Sequence, residues 1–303
     1  MKRKVILQGG KTFMVSLPIR WAKQVRVGKG DELECSTTPN QVCFSAKKEQ
    51  VPQQIQVNLE GLSERAIRYI LSGLHKSGYD EITAYFHNQE NLEIIEDLVK
   101  NLYVGFAIVE QDDKKCVLKC ISKELAGEFD TALRRAFLVT LSLGESMLEA
   151  LNNSRFSQLK DLLRLEKTNN QLTSFCERLL NKNPGIAPEK HNFLYVIAWN
   201  IEKVCDDYKY ICRELQDYKG KLSRPLLQAT AEAQNLLRGY YELFYRFDIT
   251  KLSRLNEKKE QIQDKLFAMK LSQKEHKISF YLLDAIFKLV EFSASMTAVR
   301  NEP

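Results

Sequence analysis

Long apolar runs are missing from this 303-residue chain. No stretch approaches 18 uninterrupted apolar residues, which excludes a helical membrane span and any membrane insertion by that route. The N-terminal apolar run, Val5-Ile6-Leu7, stops at Gln8, too short for the core of a signal peptide. Histidine is scarce, with four scattered residues. There is no glycine-rich phosphate loop, no Gly-x-Ser-x-Gly and no His-Glu-x-x-His, so an enzyme is not expected. The seven cysteines are odd in number and none form a Cys-x-x-Cys pair. That pattern argues against a disulfide framework or zinc site and predicts a reducing, cytoplasmic location.

Acidic residues are absent from positions 1–30, which carry Lys2, Arg3, Lys4, Lys11, Arg20, Lys23, Arg26 and Lys29. Residues 31–50 return −2, so the first 50 positions hold the whole net charge of +6 and the remaining 253 sum to zero. A neutral body with one cationic end points to a polyanion as partner. A basic tail that merely aids solubility is the alternative, but this segment also carries a folding pattern.

Val5-Ile6-Leu7 reads as a strand, Gly9-Gly10 as a turn, and Thr12 to Leu17 as a second strand. Pro18 stands where a helix can begin, because its missing N–H costs nothing in the first turn. Trp21, Ala22 and Val25 give that helix one apolar side, with Arg20, Lys23 and Arg26 projecting from the others. Leu33, Cys35 and Thr37 alternate with polar residues, Pro39-Asn40 turns the chain, and Val42, Phe44 and Ala46 alternate again. A β-β-α-β-β unit this small cannot bury enough surface alone. A second copy, in a two-fold homodimer, supplies the rest and sets two groups of cations on one face, suited to double-stranded DNA.

The run Gly10-Lys11-Thr12-x-x-Val15-Ser16-Leu17-Pro18-x-x-Trp21, followed by Gly30-Asp31-x-Leu33, resembles the AbrB/SpoVT/MazE swapped-hairpin DNA-binding domain. The resemblance covers about 45 residues and implies interlaced hairpins in a dimer. It also implies DNA contacts from Lys4, Lys11, Arg20 and Lys23, with Arg3 and Arg26 as neighbours. Lys11 stands where many members of that family carry arginine. Lysine grips phosphate as a point charge but reads guanine less well than the forked guanidinium, so backbone-dominated binding is expected.

Residues 47–54 are polar, contain Pro52 and read as a linker. Beyond them, Ile55/Val57/Leu59 alternate as a strand, and Leu62 to Leu74 keep helical spacing behind the N-cap Ser63. Ile82/Ala84/Phe86 form another strand and Leu92 to Leu102 a second helix. A hairpin closes the segment through Asp112-Asp113. The order β-α-β-α-β-β resembles a ferredoxin-like split unit whose last crossover is replaced by a hairpin. His75 and His87 read as isolated surface or helix-end residues, and Cys116 and Cys120 as a thiol pair on one strand face.

After residue 123 strand patterns vanish. Phe129, Leu133, Phe137, Leu141, Met147, Leu148 and Leu151 predict a long amphipathic helix. Further helices are expected near 156–182, 190–216, 223–246, 251–270 and 274–300, broken at Asn183-Pro184-Gly185, at Lys219-Gly220, and near 248 and 272. Short connections between long helices mean antiparallel neighbours in a bundle. Ile201-Glu202-Lys203-Val204-Cys205-Asp206 lines up with Ile286-Phe287-Lys288-Leu289-Val290-Glu291, 85 residues on. The run 165–172 lines up with 255–262, 90 residues on, suggesting two three-helix halves. The aromatic residues of this region, among them Trp199, Tyr208, Tyr240 and Phe244, read as core or protein interface rather than base-stacking platforms.

Asp130-x-Ala132-Leu133-Arg134-Arg135, Glu166-x-x-x-Asn170 and Glu202-x-x-x-Asp206 resemble the PhoU domain, a duplicated three-helix module of phosphate-uptake regulators. The resemblance implies facing carboxylates that can hold a divalent or iron metal ion, here Glu166, Glu202 and Asp206. Side chains four apart share a helix face, and opposed carboxylates make a hard oxygen site. The second half has Phe287 where the first has Glu202, which argues against a multinuclear cluster there.

The expected fold is therefore multidomain and mainly α: a small β swapped-hairpin domain (1–50), a ferredoxin-like α+β domain (53–122) and a PhoU-like bundle of two three-helix repeats (123–303). The expected function is a homodimeric DNA-binding transcriptional regulator of phosphate homeostasis, taking its signal through the body. The alternative is an adaptor that docks on a phosphate transporter ATPase or a sensor kinase, its N-terminal domain serving for dimerisation. An antitoxin-like role, which the N-terminal pattern would also suit, is disfavoured by the large folded body.

Overall fold

The computed structural model describes residues 2–38, 40–46, 52–122, 126–183 and 185–300, and the chain divides into two compact units, Met1–Gln53 and Gln54–Pro303. Helix accounts for 63% of the chain, so the mainly α expectation holds at that level. The linker at 47–51, the Pro39 side of the second turn, the start of the bundle at 123–125 and the Pro184 break lie outside the described residues.

In the first unit β1 (Val5–Gln8) pairs antiparallel with β2 (Thr12–Val15) across Gly9-Gly10-Lys11. Both glycines take positive φ, 59° and 71°, which closes this short turn without a Cβ clash. The helix α1 (Ile19–Gln24) starts directly after Pro18, whose carbonyl accepts from the Ala22 amide at 3.0 Å. A second hairpin joins β3 (Leu33–Thr38) to β4 (Gln41–Ala46). The two hairpins are separate two-stranded sheets within the chain.

The second unit opens with β5 (Gln54–Asn58), α2 (Glu64–Lys76), β6 (Glu81–Tyr85), α3 (Gln89–Asn101), β7 (Phe106–Gln111) and β8 (Lys115–Cys120). Ser63 caps α2 as expected, accepting from the Ala66 amide. The strand order β5-β6-β8-β7 places the split elsewhere than a ferredoxin-like unit would. β5 and β6 are direct parallel neighbours, while β8 inserts between β6 and β7, so the split crossover is β6-α3-β7. The reason is the tight β7–β8 hairpin: Asp112 Oδ1 accepts from the Lys114 and Lys115 amides at 2.8 Å, turning β8 straight back against its predecessor. Both helices cover one sheet face, where Ile67, Leu71, Ile82, Ala84, Ile95 and Leu118 are fully buried.

The helical part comprises α4 (Phe129–Asn152), α5 (Leu159–Lys182), α6 (His191–Leu215), α7 (Arg224–Tyr245), α8 (Ile249–Ala268), α9 (Gln273–Glu291) and α10 (Ser293–Arg300). The sequence places one helix at 274–300; the chain breaks it at Phe292. That ring is buried against Tyr240, and Ser293 Oγ donates to the same tyrosine hydroxyl at 3.2 Å. Helices α4, α5 and α6 pack on one another, as do α7, α8 and α9, and the two sets meet through α4–α7 and α6–α9. At that seam Gly144 lets α4 approach closely: a Cβ there would lie 2.0 Å from Gln234 Oε1 and 2.5 Å from the Tyr208 ring. Gln234 in turn donates to the Leu141 carbonyl at 2.9 Å and accepts from Tyr208 at 3.1 Å.

The α+β part and the helices keep separate apolar cores yet form one compact unit. Their junction is polar, made where the C-terminus of α2 meets α5.

Candidate nucleic-acid interface

All eight cations of residues 1–30 are exposed. Arg3 and Lys4 precede β1, Lys11 sits in the β1–β2 turn, Arg20 and Lys23 lie on α1, and Arg26 follows it with φ 55°. The turn and the helix thus present the cations on three short segments of one small unit. Nothing in that unit is acidic before Asp31, whose carboxylate accepts from the Gly28 amide at 2.9 Å.

The same unit leaves its apolar residues in water. Among its described residues none is buried, and Val5, Ile6, Leu7, Phe13, Val15, Ile19 and Val42 are each more than half exposed. The register puts Val5, Leu7, Phe13 and Val15 on one face of the first hairpin and Ile6 with Met14 on the other. A hairpin apolar on both faces needs covering on both sides, because exposed apolar area of this kind is unfavourable at about 25 cal/mol per Å².

The expected metal ligands are held differently. Glu166 Oε1 accepts from Lys209 Nζ at 2.9 Å and from Asn170 Nδ2 at 2.7 Å. Lys209 also pairs with Asp206, and Lys203 Nζ lies 2.9 Å from Glu202 and 3.4 Å from Asp206. Burial pulls the Lys209 pKa down, but the hydrogen bonds to Asp206 and Glu166 outweigh it and the ammonium stays charged. The structure therefore brings Glu166 and Asp206 together, but around a lysine that fills the position a cation would take. Glu202 points instead toward Lys203 and Lys76. Among the described residues no group of three or more His, Cys, Asp or Glu is arranged to hold a metal ion, so these residues do not fit a metal as they stand.

His87 is exposed, with Nε2 2.7 Å from Glu60, as the sequence suggests. His75 does lie at a helix end, in the last turn of α2, but it is fully buried there rather than at the surface. Its ring stacks on Tyr103 at 4.4 Å and meets Phe106 edge-on at 5.1 Å, while Nδ1 lies 3.2 Å from Ser174 Oγ. Burial, reinforced by Arg178 and Lys76, holds its pKa well below the ordinary imidazole value, so it is neutral.

Arg178, on α5, is also fully buried and closes this junction. Its guanidinium donates to the carbonyls of His75 at 2.9 Å and Tyr79 at 2.7 Å and to Asp80 at 3.0 Å, and lies 4.8 Å over the Phe106 ring. Asn181 donates to the Lys76 carbonyl at 2.8 Å. Side chains of α5 thus satisfy the last carbonyls of α2, which have no partner within their own helix. Beside them Glu177 is buried and pairs with Lys76 at 2.6 Å; burial pushes its carboxyl upward despite that ammonium. Sequence reasoning missed this clasp because Glu177-Arg178 reads as the polar side of α5. The signal was present as two charged residues between Cys176 and Leu179-Leu180, all of which are buried.

No protein-family model, no curated protein and no solved structure matches this chain.

Proposed function

We propose that the chain is a homodimeric DNA-binding regulator, its N-terminal hairpins gripping duplex DNA and its helical body receiving a signal of phosphate status. The observation that carries this reading is the coexistence of eight exposed cations and a first hairpin apolar on both faces in one unit of about 50 residues. Pairing two copies buries the apolar faces and doubles the cations, and a polyanion with regularly spaced charges answers both. The phosphate link and the role of the body rest on the resemblances described above, and Lys11 in place of arginine favours phosphate contacts over base readout.

Titration of duplex DNA against the full chain at several salt concentrations tests this. With about six phosphate contacts the log–log slope is expected near about −5. Replacing Lys11, Arg20 and Lys23 together by alanine should weaken binding and flatten the slope while the dimer persists. Binding indifferent to salt, or none at low salt, would refute the reading. Mapping of the DNA that co-purifies under phosphate-rich and phosphate-poor growth then identifies the targets.

One observation favours the adaptor alternative. Phe193, Val196 and Trp199 of α6 are 40%, 37% and 46% exposed and share a face at three-residue spacing. If regulation in cells survives the triple alanine variant, docking through the body carries the function.

A further inference from the structure

A second concentration of positive charge lies far along the chain, in the groove between α7 and the N-terminal half of α8. Gly239 forms part of its floor: a Cβ there would lie 2.5 Å from Leu255 Cδ2, so any larger residue would have to displace the end of that side chain. The groove has a volume of about 630 Å³, within the range of small-molecule sites. Its walls carry Arg238 from α7 and Lys251, Arg254 and Lys258 from α8, against two acids, Glu242 and Asp248.

Both acids are already engaged. Glu242 pairs with Lys251 at 2.6 Å, and Asp248 caps α8 by accepting from the Lys251 amide at 2.9 Å. Arg238 is paired with Glu145 of α4. Arg254 and Lys258 lie one helical turn apart on the same face, and among the described residues neither side chain forms an ion pair at contact distance. The Lys251 amide first, with the Arg254 charge among the rest, holds the Asp248 carboxyl below its ordinary range. The field of the groove is positive: the Lys251 hydrogen bond first, then the charges of Lys251, Arg238 and Arg246, hold the Glu242 carboxyl below its ordinary range.

The lining also says what kind of anion fits. It has no aromatic wall on which a base could stack, and its single bulky apolar side chain, Leu255, is buried. A ligand rich in charge and poor in apolar surface is favoured, and linked phosphoryl groups match a row of lysine and arginine better than isolated carboxylates do. We propose that this α7–α8 groove binds a short inorganic oligophosphate chain, held chiefly by Arg254 and Lys258. The assignment rests on the reading of the body as receiver of a phosphate signal, but the groove can be tested without DNA.

Calorimetric titration of the full chain with inorganic tripolyphosphate at low ionic strength is the experiment, run in a background in which Lys2, Arg3, Lys4, Lys11, Arg20, Lys23, Arg26 and Lys29 are all replaced by alanine, to remove the N-terminal cations. One saturable event per chain is expected, weakened at least tenfold when Arg254→Ala and Lys258→Ala are added. Both residues are exposed on a helix, where alanine is well tolerated, and unchanged circular dichroism would verify the fold. Equal binding by the doubly substituted groove would overturn the proposal. So would equal binding of an oligoglutamate of the same charge, or a nucleoside triphosphate binding tenfold tighter than tripolyphosphate. Saturable groove binding by a chain that ignores duplex DNA would keep this inference and sink the DNA-binding reading; the reverse result would do the opposite.

Discussion

Arg178 offers the sharpest test of how the second unit is held together. In Arg178→Met the aliphatic stem stays and the guanidinium goes. The Tyr79 carbonyl loses its donor; the His75 carbonyl keeps the Gly78 amide at 3.1 Å, and Asp80 keeps Lys182. Breaking a fully buried ion pair costs about 3–5 kcal/mol, and an orphaned buried carbonyl about 1–3 kcal/mol. Because Asp80 retains Lys182, the lower end applies, a loss of about 3 kcal/mol. Set against a typical total of about 5–15 kcal/mol, that is large. Urea unfolding followed by circular dichroism should show a midpoint lowered by roughly 1 M. Arg178→Lys should not restore it, because one ammonium cannot span two carbonyls and a carboxylate in the geometry of the planar fork. A loss below about 1 kcal/mol, or full rescue by lysine, would refute the clasp as the joint between the α+β part and the helices.

His75 gives a pH test. Its folded pKa is depressed, so the unfolded chain binds the extra proton below about pH 6.5, and stability present above that pH is lost as pH falls, by up to about 1.4 kcal/mol per unit. His75→Phe, which keeps the stack on Tyr103, should remove that acid-side slope in urea midpoints measured from neutral to mildly acid pH; parallel curves would refute it. Asp207, at the α6–α9 seam beside Lys288 at 2.8 Å, has the opposite sign. Burial first, against the hydrogen bond and charge of Lys288, raises its carboxyl to about 7, so its charged form weighs against folding as pH rises from about 4 to 7. Asp207→Asn should flatten stability over that window, and an unchanged profile would contradict it. Gly144→Ala should destabilise by about 1–3 kcal/mol in thermal unfolding, since the new methyl meets Gln234 and Tyr208; a neutral result would mean the seam can yield. Phe13→Glu should weaken self-association roughly a hundredfold or more in sedimentation, two symmetry-related rings each contributing about 1.5–3 kcal/mol, and an intact dimer would rule that face out.

Much of this architecture was legible along the chain because it is written in local periodicity. The 3.6-residue spacing of Phe129 to Leu151 located α4, Ser63 located the start of α2, and Pro18 the start of α1. The charge asymmetry located the cationic unit, since composition needs no contacts to be read. The break at Phe292 was hidden because no proline or glycine marks it; the cause is the packing of one ring on Tyr240.

The sequence by itself determined where the long helices lie and which end is cationic. Only the tertiary structure decided which charges are spoken for. Lys209 lies seven positions from Glu202 on the same helix but 43 from Glu166 on another, and it is the approach of α5 to α6 that turns a candidate metal pair into an ion-paired lysine. In the same way α2 and α5, about 100 residues apart, bury His75 and Arg178 together. Propensity and pattern act over a few residues, whereas desolvation and pairing depend on which helices come to lie side by side.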